Sequence, residues 1–224
     1  MSNYKTVFFI LGVLQIILGL SMIVPIIAQF YYNQVDSGFI GSGLVSIIFG
    51  VLFFLSNLDY EKKLTLPQAF LLTALSWLSI AIFGSLPFVF SDLSLSFTNA
   101  FFESMSGITT TGSTILTNLN ETPKAILLWR AMLQWLGGIG IIVMAITLMP
   151  IMNIGGMQLF VISNTHTPEK ILPKSKEISI RLIAIYSSLT LVCALFYKIF
   201  GMSFFDSIVH SMTTIATGGF SNYN

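Results

Sequence analysis

The sequence predicts an all-α integral membrane protein, on two observations. Hydrophobic residues make up 54% of the chain and charged residues only 8%, and the apolar residues gather into long uncharged runs rather than alternating patterns. Mean hydropathy is +0.86, well outside the balance of a soluble domain. A third observation refines the class: one polar segment occurs twice, so part of the chain is a repeat.

Uncharged runs cover residues 6–35, 37–58, 64–91, 131–168 and 182–197. Most exceed the roughly 20 residues that a membrane-spanning helix needs. The last is shorter, but Arg181 and Lys198 flank it and can extend their charges to the two interfaces. Helices are therefore predicted at about residues 6–32, 39–57, 68–90, 123–153 and 180–200. The first follows Lys5, is much longer than a signal-peptide core and has no convincing cleavage site, so it is read as a retained helix. Residues 33–38 and 57–67 are polar connectors. Residues 163–177 form a longer one, with Pro168, Pro173, Lys170, Lys174 and Lys176, expected on the cytoplasmic side.

A formal net charge of +1 gives no basic face for nucleic acid. Cys193 is the only cysteine, so no intramolecular disulfide can form. No metal-ligand cluster, nucleophile or acid–base pair stands in the spans, and His166 and His210 lack plausible catalytic partners. Neither an enzyme nor a bound cofactor is expected.

Residues 92–116 are too rich in Ser, Thr and Gly to face lipid. If they crossed the membrane, Lys62 and Lys63 would lie opposite Lys170, Lys174, Lys176 and Arg181, against the positive-inside tendency. If they enter and leave on one face, Lys5 joins all of these inside, and Lys124, Arg130 and Lys198 remain outside. The charges favour the re-entrant path and a cytoplasmic N-terminus. Irregular backbone at membrane depth needs burial in protein or a water-filled cavity, so a pore or cavity is implied.

The repeat needs no outside knowledge. FTNAFFESMSGITTTG, starting at Phe97, recurs as FFDSIVHSMTTIATGG, starting at Phe204, without a gap. It pairs Asn99 with Asp206, Glu103 with His210, Ser104 with Ser211, Met105 with Met212, Ile108 with Ile215, Thr110 with Thr217 and Gly112 with Gly219. Each copy reads as a short helix capped by Asn99 or Asp206, then a Thr/Gly segment unsuited to continuing it. Each follows an apolar span. The unit is span, short re-entrant helix, polar loop, span; residues 68–153 hold one complete example and the second begins near residue 180. Carbonyl oxygens on such loops can replace the hydration shell of a cation, and a short helix ending there points its partial negative charge the same way. An ordinary external loop with turn glycines is the competing reading.

Other residues carry two readings each. Glu103 could concentrate cations at the external mouth or tie the short helix to Arg130. Gly137, Gly138 and Gly140 could form a hinge, though close helix packing is favoured. His210 is read as a hydrogen-bonded structural residue rather than a proton sensor. Among Trp77, Trp129 and Trp135, Trp129 is the best placed interface anchor.

FESMSGITTTGST at residues 102–114, WRAMLQWLGGIGIIVMAITLMPIMNIGGMQLF at 129–160 and FFDSIVHSMTTIATGGFSN at 204–222 resemble the Trk/Ktr/HKT potassium transporters, most closely the bacterial TrkH branch. The resemblance covers essentially the whole chain. It implies residues 1–60 as an extra N-terminal two-helix hairpin, 61–160 as the first membrane-pore-membrane repeat, 161–179 as a cytoplasmic linker, and 180–224 as an incomplete second repeat ending after its filter loop. It further implies that Thr109, Thr110, Thr111 and Gly112 form one potassium filter strand, that Ala216, Thr217, Gly218 and Gly219 form another, and that K+ binds through their backbone carbonyls. A homodimer in the bacterial inner membrane and a cytosolic nucleotide-binding TrkA-type ring near the basic linker are also implied. The family carries four filters and this chain two, so a truncated chain or a split-gene fragment is expected, unable alone to enclose a selective pore. The alternative function is a non-conducting subunit or regulatory fragment that associates with partner helices.

Overall fold

The computed structural model describes residues 4–34, 36–60, 64–152 and 171–223, with backbone alone for 145–152 and 171–176. Its elements are α1 (Lys5–Ser21), α2 (Ile23–Tyr31), α3 (Gly38–Ser56), α4 (Leu66–Phe90), α5 (Phe97–Ile108), α6 (Lys124–Met152), α7 (Ile171–Ile199) and α8 (Phe204–Ile215), with no strand among the described residues. Five helical stretches are long and apolar enough to span a membrane: Lys5–Tyr31, Gly38–Ser56, Leu66–Phe90, Lys124–Met144 and Glu177–Ile199. The all-α membrane class stands. Lys62, Lys63, His166, Pro168 and Lys170 lie outside the described residues.

The first predicted helix is one span broken at Met22, between α1 and α2. Pro25 has no N–H, and its ring meets the carbonyl four residues back, so the helical ladder cannot run through unperturbed. α1 then packs antiparallel on α3, with Phe9 stacked on Tyr60 at 3.9 Å between ring centroids. A methyl group on Gly12 would lie 2.6 Å from Phe54 N and 2.7 Å from Gly50 O. Small residues here let two backbones touch. The Gln15 amide donates to Ser79 Oγ at 2.6 Å and ties α1 to α4.

α5 and α8 have 12 residues each. At about 1.5 Å per residue each is about 18 Å long, little more than half of an apolar core about 30 Å thick. The rim shows where they enter. Asp36 accepts hydrogen bonds from the backbone N–H of Gly38 at 2.8 Å and of Asp92 at 3.3 Å, and Gln34 Oε1 accepts from Lys124 N–H at 3.0 Å. The Tyr32 ring meets the Phe205 ring edge-on at 5.5 Å. The end of α4 and the start of α6 thus share one rim, and the chain between them returns to the face it left. The re-entrant expectation holds.

Three expectations are corrected. The connector expected at residues 163–177 is not loop throughout, because α7 already begins at Ile171; Pro173 falls in its first turn, where a missing N–H costs no hydrogen bond. The short helices are capped by Ser96 and Ser203, whose hydroxyls accept from the N–H groups of Asn99 at 3.4 Å and Asp206 at 3.1 Å. Asn99 and Asp206 therefore sit three residues inside the cap. Trp129 is fully buried, with its indole N–H donating to Gly84 O at 2.9 Å. It is no interface anchor, because α6 is the most enclosed span and faces protein where a peripheral helix would face lipid.

Candidate functional site

Each polar loop begins where a short helix is forced to stop. At the end of α5, Thr111 N–H donates to Ser106 O and Thr110 N–H to Gly107 O, both at 2.9 Å. At the end of α8, Gly218 N–H donates to Thr213 O at 3.0 Å and Thr217 N–H to Thr214 O at 2.9 Å. This is the Schellman pattern, whose central residue takes the left-handed conformation. Thr110 has φ 56° and Thr217 φ 57°. The ends of α2 and α7 use Asn33 at φ 54° and Gly201 at φ 99° for the same purpose, residue types suited to it. A β-branched threonine is strained there, by roughly 1–2 kcal/mol.

Two residues on, Gly112 (φ 80°) and Gly219 (φ 74°) are left-handed again. The loops also touch: a methyl group on Gly112 would overlap the carbonyl oxygen of Gly218. The structure thus brings Thr109, Thr110, Thr111 and Gly112 together with Ala216, Thr217, Gly218 and Gly219. Thr111, Thr217 and Gly219 are exposed. Such paired carbonyl runs at two helix C-termini, with no ionised side chain in either run, suit a desolvated monovalent cation.

Glu103 is 0% exposed and pairs with Arg130 at 2.7 Å. Its carboxylate also accepts from Thr114 Oγ1 at 2.8 Å and Ile115 N–H at 3.0 Å. Arg130 reaches the second loop, donating to Ser221 O at 3.1 Å and lying 4.2 Å from the centre of the Phe220 ring. Of its two readings the geometry has the tie to Arg130, and Glu103 is not at an open mouth. The second loop is held differently. Asp206 accepts from Ser203 Oγ at 2.6 Å, Asn222 Nδ2 at 2.7 Å and Tyr223 Oη at 2.6 Å. Burial pushes the Asp206 carboxyl up, but the hydrogen bonds from Ser203, Tyr223 and Asn222 and the charge of Lys124 outweigh it and hold its pKa below the ordinary value.

His210 was expected to be hydrogen-bonded. Instead its ring stacks on Tyr223, with centroids 6.2 Å apart, and its buried Nε2 has no partner among the described residues. A methyl group on Gly137 would overlap Ile108 O, and one on Gly138 would meet Tyr186 Oη at 2.5 Å. Both glycines serve close packing, while Gly140 has nothing within 4 Å. Sequence reasoning missed Gln134, whose Oε1 accepts from Phe220 N–H at 3.2 Å. A signal existed: Arg130 and Gln134 are four apart in an otherwise apolar helix, so one face of α6 presents two polar groups.

The TrkH family, described as cation transport protein, matches residues 5–224. The chain is 40% identical over 214 residues to the Trk system potassium uptake protein TrkI of Halomonas elongata, covering 95% of this chain and 44% of that protein. It is 39% identical over 226 residues to the Trk system potassium uptake protein TrkH of Escherichia coli K12, covering 99% of this chain and 47% of that protein. The crystal structure of the potassium transporter TrkH from Vibrio parahaemolyticus superposes with a TM-score of 0.88 at 36% identity, covering 99% of this chain and 45% of that one. The chain spans about half the length of the curated relatives it matches.

Proposed function

This chain belongs to the TrkH family of cation transport proteins, and from that premise we propose that it supplies two carbonyl strands of a channel-like potassium-uptake pathway. The observation that carries the proposal is the matched backbone of the two loops: left-handed Thr110 and Thr217, left-handed Gly112 and Gly219, and contact between Gly112 and Gly218 O. A potassium ion leaving water is coordinated by the carbonyls of residues 109–112 and 216–219, while the helix C-termini stabilise its charge. The chemistry is coordination and release, with no covalent step. The protein sits in the bacterial inner membrane with its N-terminus in the cytoplasm. It works as part of a dimeric assembly with a cytosolic nucleotide-binding TrkA-type ring, which approaches the basic residues Lys170, Lys174 and Lys176.

The test is rubidium flux into liposomes holding this chain as given, compared with the chain extended by whatever coding sequence lies downstream. Selective flux in the extended form alone is the expected result. Selective flux from the chain as given would mean that its own assembly supplies the remaining walls. No flux from either form would favour the non-conducting subunit and overturn the proposal.

A further inference from the structure

Gln134 is 0% exposed and lies one helical turn past Arg130 on α6. Its Oε1 accepts the N–H of Phe220 at 3.2 Å, the residue directly after Gly219. Because a backbone N–H can only donate, this bond fixes which end of the amide is oxygen and turns the other end away. That other end, Nε2, would lie 3.9 Å from a methyl group on Gly112, and a methyl group on Gly218 would overlap the amide itself. The side chain therefore reaches both loops at the seam where they touch.

Nε2 has no hydrogen-bond partner among the described residues. A buried amide with unmet donors is costly. Packing alone gives no reason for glutamine here. What glutamine adds is an acceptor at one fixed distance from α6, which holds the exit of the second loop, and a flat amide that fills the gap behind Gly112 and Gly218.

We propose that Gln134 is a positioning residue for ion preference: it sets the spacing of the two loops without touching the ion. This rests on the filter reading above. If carbonyl spacing is what discriminates between cations, a side chain that sets the spacing sets the discrimination.

The test is the ratio of rubidium to sodium flux in liposomes, in the extended protein and its Gln134→Met, Gln134→Glu and Gly112→Ala variants. Gln134→Met keeps the length and removes the acceptor, and is expected to lower the ratio by roughly threefold to tenfold, the effect of about one net hydrogen bond. Gln134→Glu keeps an acceptor for Phe220 N–H and is expected to lie closer to wild type. If Gln134→Met does not accumulate in the membrane, Gln134→Asn, one methylene too short to reach Phe220, is measured in its place. Gly112→Ala separates the two ideas. Should Gly112→Ala lose the preference while the acceptor-less variant keeps it, the role of Gln134 is overturned and the filter stands. Should Gly112→Ala keep it too, the filter reading fails and the role of Gln134 with it.

Discussion

The first and second loops have nearly the same backbone and different anchors. Thr110 and Thr217 differ by 1° in φ (56° and 57°), and Gly112 and Gly219 by 6° (80° and 74°). The first is tied by the buried Glu103–Arg130 ion pair. In the second, His210 stands at the Glu103 position and the acid is Asp206, one helical turn earlier, held by the neutral donors of Ser203, Asn222 and Tyr223. Loop geometry is thus written in the hydrogen bonds that end each short helix, while the side-chain clasp can be ionic or neutral and can move by a turn. The ion pair does one thing the neutral clasp does not: through Ser221 O and the Phe220 ring, Arg130 links the two loops to each other.

The largest expected effect separates the clasps. Glu103→Gln leaves a buried guanidinium without its counter-charge, which costs about 3–5 kcal/mol; Asp206→Asn leaves no buried cation behind and is expected to cost clearly less, about 1–3 kcal/mol from weakened hydrogen bonds. Denaturant titration of the purified protein in detergent measures both, and equal losses would erase the distinction. Next come the glycines. Gly112→Ala meets both a strained φ and an overlap with Gly218 O, whereas Gly219→Ala has nothing within 4 Å and meets the strain alone, about 1–2 kcal/mol. The first is therefore expected to lower thermal stability more than the second.

A pH titration sharpens the comparison further. The Asp206 pKa is depressed in the folded state, so its contribution is fully present above the ordinary carboxylate range, about pH 4, and is lost as pH falls through the lower folded value. Acid is expected to loosen the second loop in that window, read as faster amide exchange at residues 220–223, and Asp206→Asn should remove the pH dependence. The smallest effect is expected at the strained threonines. Thr110→Gly or Thr217→Gly relieves left-handed strain but frees the unfolded chain, so stability should change by less than about 1 kcal/mol in either case. A larger loss at one position would show that its hydroxyl or methyl group supports its loop.

Much of this was legible in the sequence. The apolar runs located the five spans among the described residues because lipid demands them, and the ungapped match between residues 97–112 and 204–219 announced that two loops would share a backbone. The caps were misplaced by three residues because Asn99 and Asp206 are as good at capping as Ser96 and Ser203 on composition alone. Trp129 was misplaced for a different reason: a tryptophan near a helix start reads as an interface residue unless one knows which helix is central. The break at Met22 was readable in principle from Pro25.

Hydropathy, charge asymmetry and repetition are properties of the chain in order, and they were enough to specify the class, the spans, the re-entrant path and the pairing of the loops. Tertiary structure alone decided that Glu103 is sealed against Arg130 rather than open to ions, that Gly112 meets the carbonyl of Gly218, and that Gln134 reaches Phe220. Each of these is a contact between groups far apart in the chain, and a side chain's partner is set by which helices end up adjacent, which no local pattern records.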